Sequence, residues 1–245
     1  MTEKFGGEVG RKYAKIDLSG RKAIEQDEVV EHSGFPESLR DRMNASLLFD
    51  PDSEDIIRAT ILDQVEQLEK QLGIEFIIAG RDYPIHSTLL EGLYERQPDK
   101  NETDSDEARG RIFTSLERDK SISEALNELI GRQLNYKYLL LDKGNLLLTA
   151  TEIPEDILKA RDSLAEKYKA AGLKPLYMAN ILHLSLSRIA KLPEDEGGRK
   201  RALAEYKQEL IKMRHRVSSD PLKLTVRNFN RSSSFSLLTK ENDGN

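Results

Sequence analysis

Two short stretches carry side chains that could do chemistry together, His86-Ser87-Thr88 and His183-Leu184-Ser185. In each, a hydroxyl residue follows a histidine two positions on. Residues i and i+2 of a strand share a face, so each stretch would present an imidazole and a hydroxyl side by side. Around the second, Ile181 to Arg188 alternates throughout. Leu182, Leu184 and Leu186 would form a core face, and His183, Ser185 and Ser187 the opposite one. An unperturbed imidazole titrates near pH 6.5, so one of a pair can be neutral while the other is protonated. The neutral ring can take a proton from an attacking water or hydroxyl, and the protonated ring can supply one to a leaving oxygen. Hydroxyls at Thr88 and Ser185 can donate to the non-bridging oxygens of a phosphate and stabilise the charge that develops there. Such a set suits in-line attack at phosphorus. It calls for no cofactor and no metal.

Either motif alone is short and weak. What strengthens the pair is the order of elements around it. Leu47-Leu48, Asp55-Ile56, Gly73 and His86-x-Thr88 are matched by Leu147-Leu148, Asp156-Ile157, Gly172 and His183-x-Ser185. Each copy reads as strand, helix, glycine stop, then a strand with histidine and hydroxyl. The first helix would run from Pro51 to about Leu72, with Ile57, Ile61, Val65, Leu68 and Leu72 on its buried face. The second would start at Pro154, with Ile157, Arg161, Leu164, Tyr168 and Ala171 on one side. Fixed-order self-similarity is a topological signal. It predicts an α+β fold, bilobal and pseudo-symmetric, with two antiparallel sheets flanking a central cleft and helices outside. Residues 1–43 read as an N-terminal extension and 44–239 as the duplicated domain, with lobes of about 44–133 and 134–239. Residues 240–245 read as a flexible tail.

Other segments fill in the elements. Gly20 to His32 reads as a short helix, with a second running through Met43. Ser46–Phe49, Ile74–Ala79 and Tyr83–Glu91 read as strands. The acidic stretch Tyr94 to Asp106 reads as a surface loop. Asp142-Lys143-Gly144-Asn145 signals a hairpin between Tyr136–Leu141 and Asn145–Thr149. A basic helix spans about Arg199–Arg216, and a last hairpin would join Leu222–Phe229 to Ser234–Leu238.

Composition narrows the function. The 245 residues are 38% hydrophobic and 33% charged, which suits a globular domain. No apolar run approaches a membrane span and no secretory h-region opens the chain, so a cytoplasmic location without membrane contact is expected. Absence of cysteine excludes disulfides, thiolate metal sites and a cysteine nucleophile. A net charge of −5 argues against a general positive field for long nucleic acid. A local basic pocket for a small anion remains compatible with it.

The paired motifs resemble the two-histidine phosphoesterase superfamily, whose signature is two His-x-Thr/Ser motifs in a duplicated α+β fold. His183-Leu184-Ser185-Leu186-Ser187-Arg188 is similar to the 2′-5′ RNA ligase-like cyclic phosphodiesterases, in which an arginine follows the hydroxyl residue at this place. The similarity covers about Ser46 to Leu238. It implies that His86 and His183 are the catalytic acid and base, that Thr88, Ser185 and Arg188 bind phosphate, and that the partner is a nucleotide or RNA end with a cyclic phosphate or 2′-5′ linkage. A monomer is expected. Strict alternation would put Arg188 on the leucine face unless the strand ends or bulges there, and Ser187 would lie in line with His183 and Ser185.

Among the remaining residues, His32 reads as a solvated loop histidine and His215 as a helix-end cation. Tyr83, Tyr138, Tyr177 and Phe229 are candidates for stacking on a base or for the core. The rival functions are a nucleotide-binding module of the same fold with little turnover, an RNA 2′-5′ ligase, and a structural adaptor that uses the extension and the acidic stretch.

Overall fold

The computed structural model describes residues 7–32, 34–96, 101–176 and 181–239. Helix α1 (Gly7–Glu25) leads through an extended segment and a 3₁₀ turn, Glu37–Asp41, into strand β1 (Arg42–Phe49). Asp50 caps the next helix, its carboxylate accepting from the Ser53 N–H at 2.8 Å, with Pro51 at the first helical position. Helix α2 (Pro51–Ile57) continues through a π turn, Arg58–Leu62, into α3 (Asp63–Leu72). Gly73, at φ 64°, ends it in the left-handed region. There follow β2 (Glu75–Ile78), β3 (His86–Leu93), α4 (Glu102–Glu117), α5 (Lys120–Asn127), β4 (Gln133–Asp142) and β5 (Asn145–Ala150). The chain finishes with α6 (Glu155–Ala170), β6 (Lys174–Leu176), β7 (His183–Lys191), α7 (Glu196–Ser219), β8 (Leu222–Ser233) and α8 (Ser234–Thr239).

The strands pair in the order β2-β7-β5-β4-β8-β1-β3-β6, all antiparallel. The order divides into two groups of four, β2-β7-β5-β4 and β6-β3-β1-β8, that correspond member for member. In each, the histidine strand is second from the edge. The groups meet twice: at the start of β4, where Gln133–Tyr136 pairs with Leu222–Thr225, and at a single rung, Ser87 opposite Leu184. The α+β class and the antiparallel pairing are as the repeat predicts, but the two expected sheets are two halves of one eight-stranded sheet. The groups also exchange edges. β2, from the first repeat, lies on β7 of the second; β6, from the second, lies on β3 of the first.

Helices cover the two core faces. On one group Tyr206 of α7 meets Phe76 of β2, ring centroids 5.3 Å apart. On the other, Tyr168 of α6 fills the space over Gly92 in β3, where a Cβ would lie 2.5 Å from the ring.

Four expectations need correction. The first helix is nineteen residues, Gly7–Glu25, not a short one from Gly20. Met43 is in β1, because the sequence before it closes only one 3₁₀ turn. The acidic stretch is partly helical: Asn101 caps α4, and Glu102 and Asp104 sit in its first turn, where negative charge is favoured. The last hairpin is absent: Ser234–Leu238 lies in helix α8, and the first arm extends into one strand, β8, twelve residues long. Its first third pairs with β4 and the rest with β1, so one continuous strand joins the two groups.

Helix α1 has a structural task. Only the first four residues of β4 have a partner in β8, which leaves the edge beyond them open. The Asp17 carboxylate accepts from the Leu141 N–H at 3.4 Å, and the Arg214 Nε–H donates to the Leu139 carbonyl at 3.0 Å. Asp17 and Arg214 pair with each other at 2.5 Å. Together they satisfy the strand edge as a further strand would. Gly20 permits the approach, since a Cβ there would lie 2.1 Å from the Leu141 carbonyl oxygen.

Candidate active site

The Ser87–Leu184 rung organises the site. Both side chains are fully buried and point into the core, and Ser87 Oγ–H donates to the His183 carbonyl at 2.9 Å. Neighbours along each strand face the other way. His86, Thr88, His183 and Ser185 therefore share the opposite face. Because the strands are antiparallel, each histidine lies beside the other motif's hydroxyl residue: His86 beside Ser185, and Thr88 beside His183. The two histidines form a diagonal pair, about 7–8 Å apart by the usual cross-strand spacing. The structure thus brings the four motif residues together from opposite ends of the repeat.

Both histidine strands are bulged at equivalent places. Opposite β5, Leu146 faces Ser187 and Leu147 faces Ser185, so Leu186 is the extra residue of β7. Opposite β1, Ala45 faces Leu90 and Ser46 faces Thr88, so Leu89 is the extra residue of β3. A bulge flips the alternation beyond it. Arg188 consequently joins the face of His183 and Ser185, partly exposed. Ser187 does not. It is fully buried and faces the Tyr206 hydroxyl on the core side, which corrects the expectation that it lines up with the motif. On β3 the residue equivalent to Arg188 is Glu91. Its carboxylate accepts from Arg42 Nη1 and from Ser234 Oγ, each at 3.1 Å. The face therefore carries a cation at its β7 end and a paired carboxylate at its β3 end.

The imidazoles are held differently. His86 is 6% exposed, and its Nδ1 lies 2.8 Å from the Pro84 carbonyl. A carbonyl only accepts, so Nδ1 carries the proton and the neutral ring keeps its lone pair on Nε2. The Tyr83 ring packs edge-on against His86, and the Tyr83 hydroxyl donates to the Ser185 carbonyl at 2.8 Å. His183 is 8% exposed and its Nδ1 has no hydrogen-bond partner among the described residues. Burial lowers both pKa values. For His183, burial together with the fields of His86, Arg161 and Arg188 takes it down to about 4. At neutral pH the empty dyad is uncharged.

Two arginines frame it. The Arg188 guanidinium lies over the Phe35 ring, 5.3 Å from its centroid, and Phe35 meets Tyr83 edge-on at 5.7 Å. Arg161, on α6, is 5% exposed, and its Nη2 donates to the Ile181 carbonyl at 3.1 Å, just before His183. Neither Phe35 nor Arg161 was identifiable as part of the site from spacing, since nothing in the sequence ties their segments to β7. Of the stacking candidates, Tyr83 is fully buried under the site, while Tyr138 packs on Tyr13 at 6.1 Å. Phe229 lies beside Arg231, and Tyr177 is outside the described residues. His32 is half-buried, not solvated. His215 lies exposed near the end of α7.

No family model and no curated protein matches the chain. Nine chains of solved structures align with it, among them the following two. "Structure of Kluyveromyces marxianus Usb1" is 18% identical, covering 81% of this chain and 96% of that one, with a TM-score of 0.37. "Structure of Kluyveromyces marxianus Usb1 with uridine monophosphate" is also 18% identical, covering 80% of this chain and 95% of that one, with a TM-score of 0.36.

Proposed function

We propose that the chain is a phosphodiesterase that hydrolyses a 2′,3′-cyclic phosphate end or a 2′-5′ linkage of a nucleotide or RNA. The observation that supports this is the single face bearing two buried imidazoles, two hydroxyls and an arginine at the β3–β7 crossing. In a cyclic phosphate, water attacks phosphorus, one imidazole takes its proton, and the bond to the leaving ribose oxygen breaks as the other imidazole protonates that oxygen. Thr88 and Ser185 donate to the non-bridging oxygens, and Arg188 balances their charge. The two imidazoles supply both proton transfers, so the mechanism runs without a cofactor.

The different holding of the rings suggests their roles. His86 keeps its Nδ1–H on the Pro84 carbonyl when protonated, which stabilises the imidazolium and suits the acid. His183 has no such partner and the more unfavourable surroundings for charge, so it stays neutral and suits the base.

The test uses 2′,3′-cyclic nucleotides, 2′-5′-linked oligomers and RNA with cyclic-phosphate ends, analysed by product. His86→Ala and His183→Ala should each abolish turnover, with circular dichroism unchanged, and a chelator should have no effect. A diester with a good leaving group should restore His86→Ala far more than His183→Ala, because such a group needs no acid. Full activity in either variant on cyclic nucleotides sinks the mechanism.

A further inference from the structure

The face that carries the dyad continues past Arg188 to the sheet edge. There it forms the floor of a cavity of about 640 Å³, a size typical of small-ligand sites. The floor is Ile77 and Ala190, on neighbouring strands. Ile77 is the residue paired with Arg188, so cavity and dyad share one surface. From Ser185 to Arg188 is three residues, about 10 Å of strand, a span that one nucleotide can bridge. The wall comes from the segment after α1: Phe35, which touches both Arg188 and Tyr83, and His32, whose backbone N–H donates to the Ile189 carbonyl at 2.9 Å. His32 Nε2 is buried without a hydrogen-bond partner.

The rim carries three carboxylates, Glu31, Glu75 and Asp82, against one cation, Lys191. Lys191 is already paired with Glu194 at 3.0 Å, and Glu31 with Arg199 at 3.3 Å. Asp82 accepts from the Ile78 N–H and from Arg81. Glu75 is exposed and stands opposite Lys191 in the β2–β7 ladder, where its field acts on that ammonium. A phosphate would meet net negative charge here. A flat apolar group bearing hydrogen-bond donors would meet an apolar floor, an aromatic wall, an unpartnered imidazole nitrogen and an exposed carboxylate.

We propose that this cavity is a nucleobase site that selects bases with an exocyclic amino group, the amino donor resting on Glu75. It deepens the phosphodiesterase reading and rests on it for the placement of the phosphate. A carboxylate accepts from the amino group of adenine, cytosine or guanine. Uracil presents carbonyls there instead, and the acidic rim repels them.

The test is calorimetric binding of nucleoside 3′-monophosphates to the whole chain. Adenosine and cytidine 3′-monophosphates should bind about tenfold tighter than uridine 3′-monophosphate, the worth of one hydrogen bond to a charged acceptor. Glu75→Ala removes the acceptor at an exposed position, and Ile77→Trp fills the floor. Each should bring the three affinities to within about twofold. Equal affinities in the wild type, or discrimination that survives either substitution, overturn the proposal. Binding is read without turnover. A chain that discriminates bases but hydrolyses neither a cyclic phosphate nor a 2′-5′ linkage refutes the phosphodiesterase and supports the base site. One that hydrolyses every cyclic nucleotide and binds all three monophosphates alike refutes the base site alone.

Discussion

Acid should weaken this fold through its own dyad. His183 titrates at about 4 in the folded chain and near 6.5 when unfolded. Between those values the unfolded chain binds the extra proton, so stability rises with pH and is lost as the pH falls. The contribution is complete above about pH 6.5 and falls away towards pH 4. A difference of about 2.5 pKa units corresponds to about 3 kcal/mol in the acid limit, of which about 2 kcal/mol is lost by pH 5. Carboxylates that are ion-paired in the fold also protonate in acid, and the comparison must cancel them. His183→Asn does so, since it removes the imidazole and leaves the carboxylates in place. Urea unfolding of both chains at pH 7 and pH 5 gives the two losses. The wild type should lose about 2 kcal/mol more than the variant, close to a 1 M difference in midpoint shift if m is about 2 kcal/mol/M. Parallel losses would mean that His183 is not held neutral by burial, and the account of the empty dyad would be wrong.

The same burial predicts proton uptake on binding. An anionic phosphate raises the imidazole pKa values, so uridine 3′-monophosphate should take up between zero and one proton at pH 6.5, measured calorimetrically in buffers of different ionisation enthalpy. No uptake would contradict an imidazolium beside the bound phosphate. The bulge at Leu186 separates two serines that the sequence sets in line. Ser185→Ala should lower kcat/KM about 100-fold, as loss of one transition-state donor does, whereas Ser187→Ala should stay within about twofold. Asp17→Ala should cost about 3 kcal/mol in urea unfolding, because it strands the part-buried Arg214. It also uncovers the β4 edge, and concentration-dependent association in size-exclusion chromatography should follow.

The duplication was legible because both copies keep the same order of strand, helix, glycine stop and histidine strand, and each of those signals is local. The hairpin at Lys143-Gly144 was legible for the same reason, both residues taking the positive φ that such a turn requires. Bulges were not legible. Leu89 and Leu186 look like ordinary members of an alternating run, and only the partner strands show that each is skipped. That is why Ser187 reads as a site residue, and why the face of Arg188 was conditional on a bulge. The single strand β8 was hidden because its length serves two partners far away in sequence. Asp17 and Phe35 were unreadable for a related reason: what they touch, Leu141 and Arg188, lies more than a hundred residues on.

The exchange of edge strands bears on how the site comes into being during synthesis. β3 cannot acquire its outer neighbour until residues 174–176 have been made, and β1 lacks β8 until 222–233 follow. Neither histidine strand has its complete surroundings while the other half is missing. The first repeat leaves the ribosome as a sheet open on both sides, with His86 and Thr88 on a face that has no counterpart. Closure waits for residues 222–233. The two motifs can meet once β7 has been made, and the sheet around them is complete only when β8 follows.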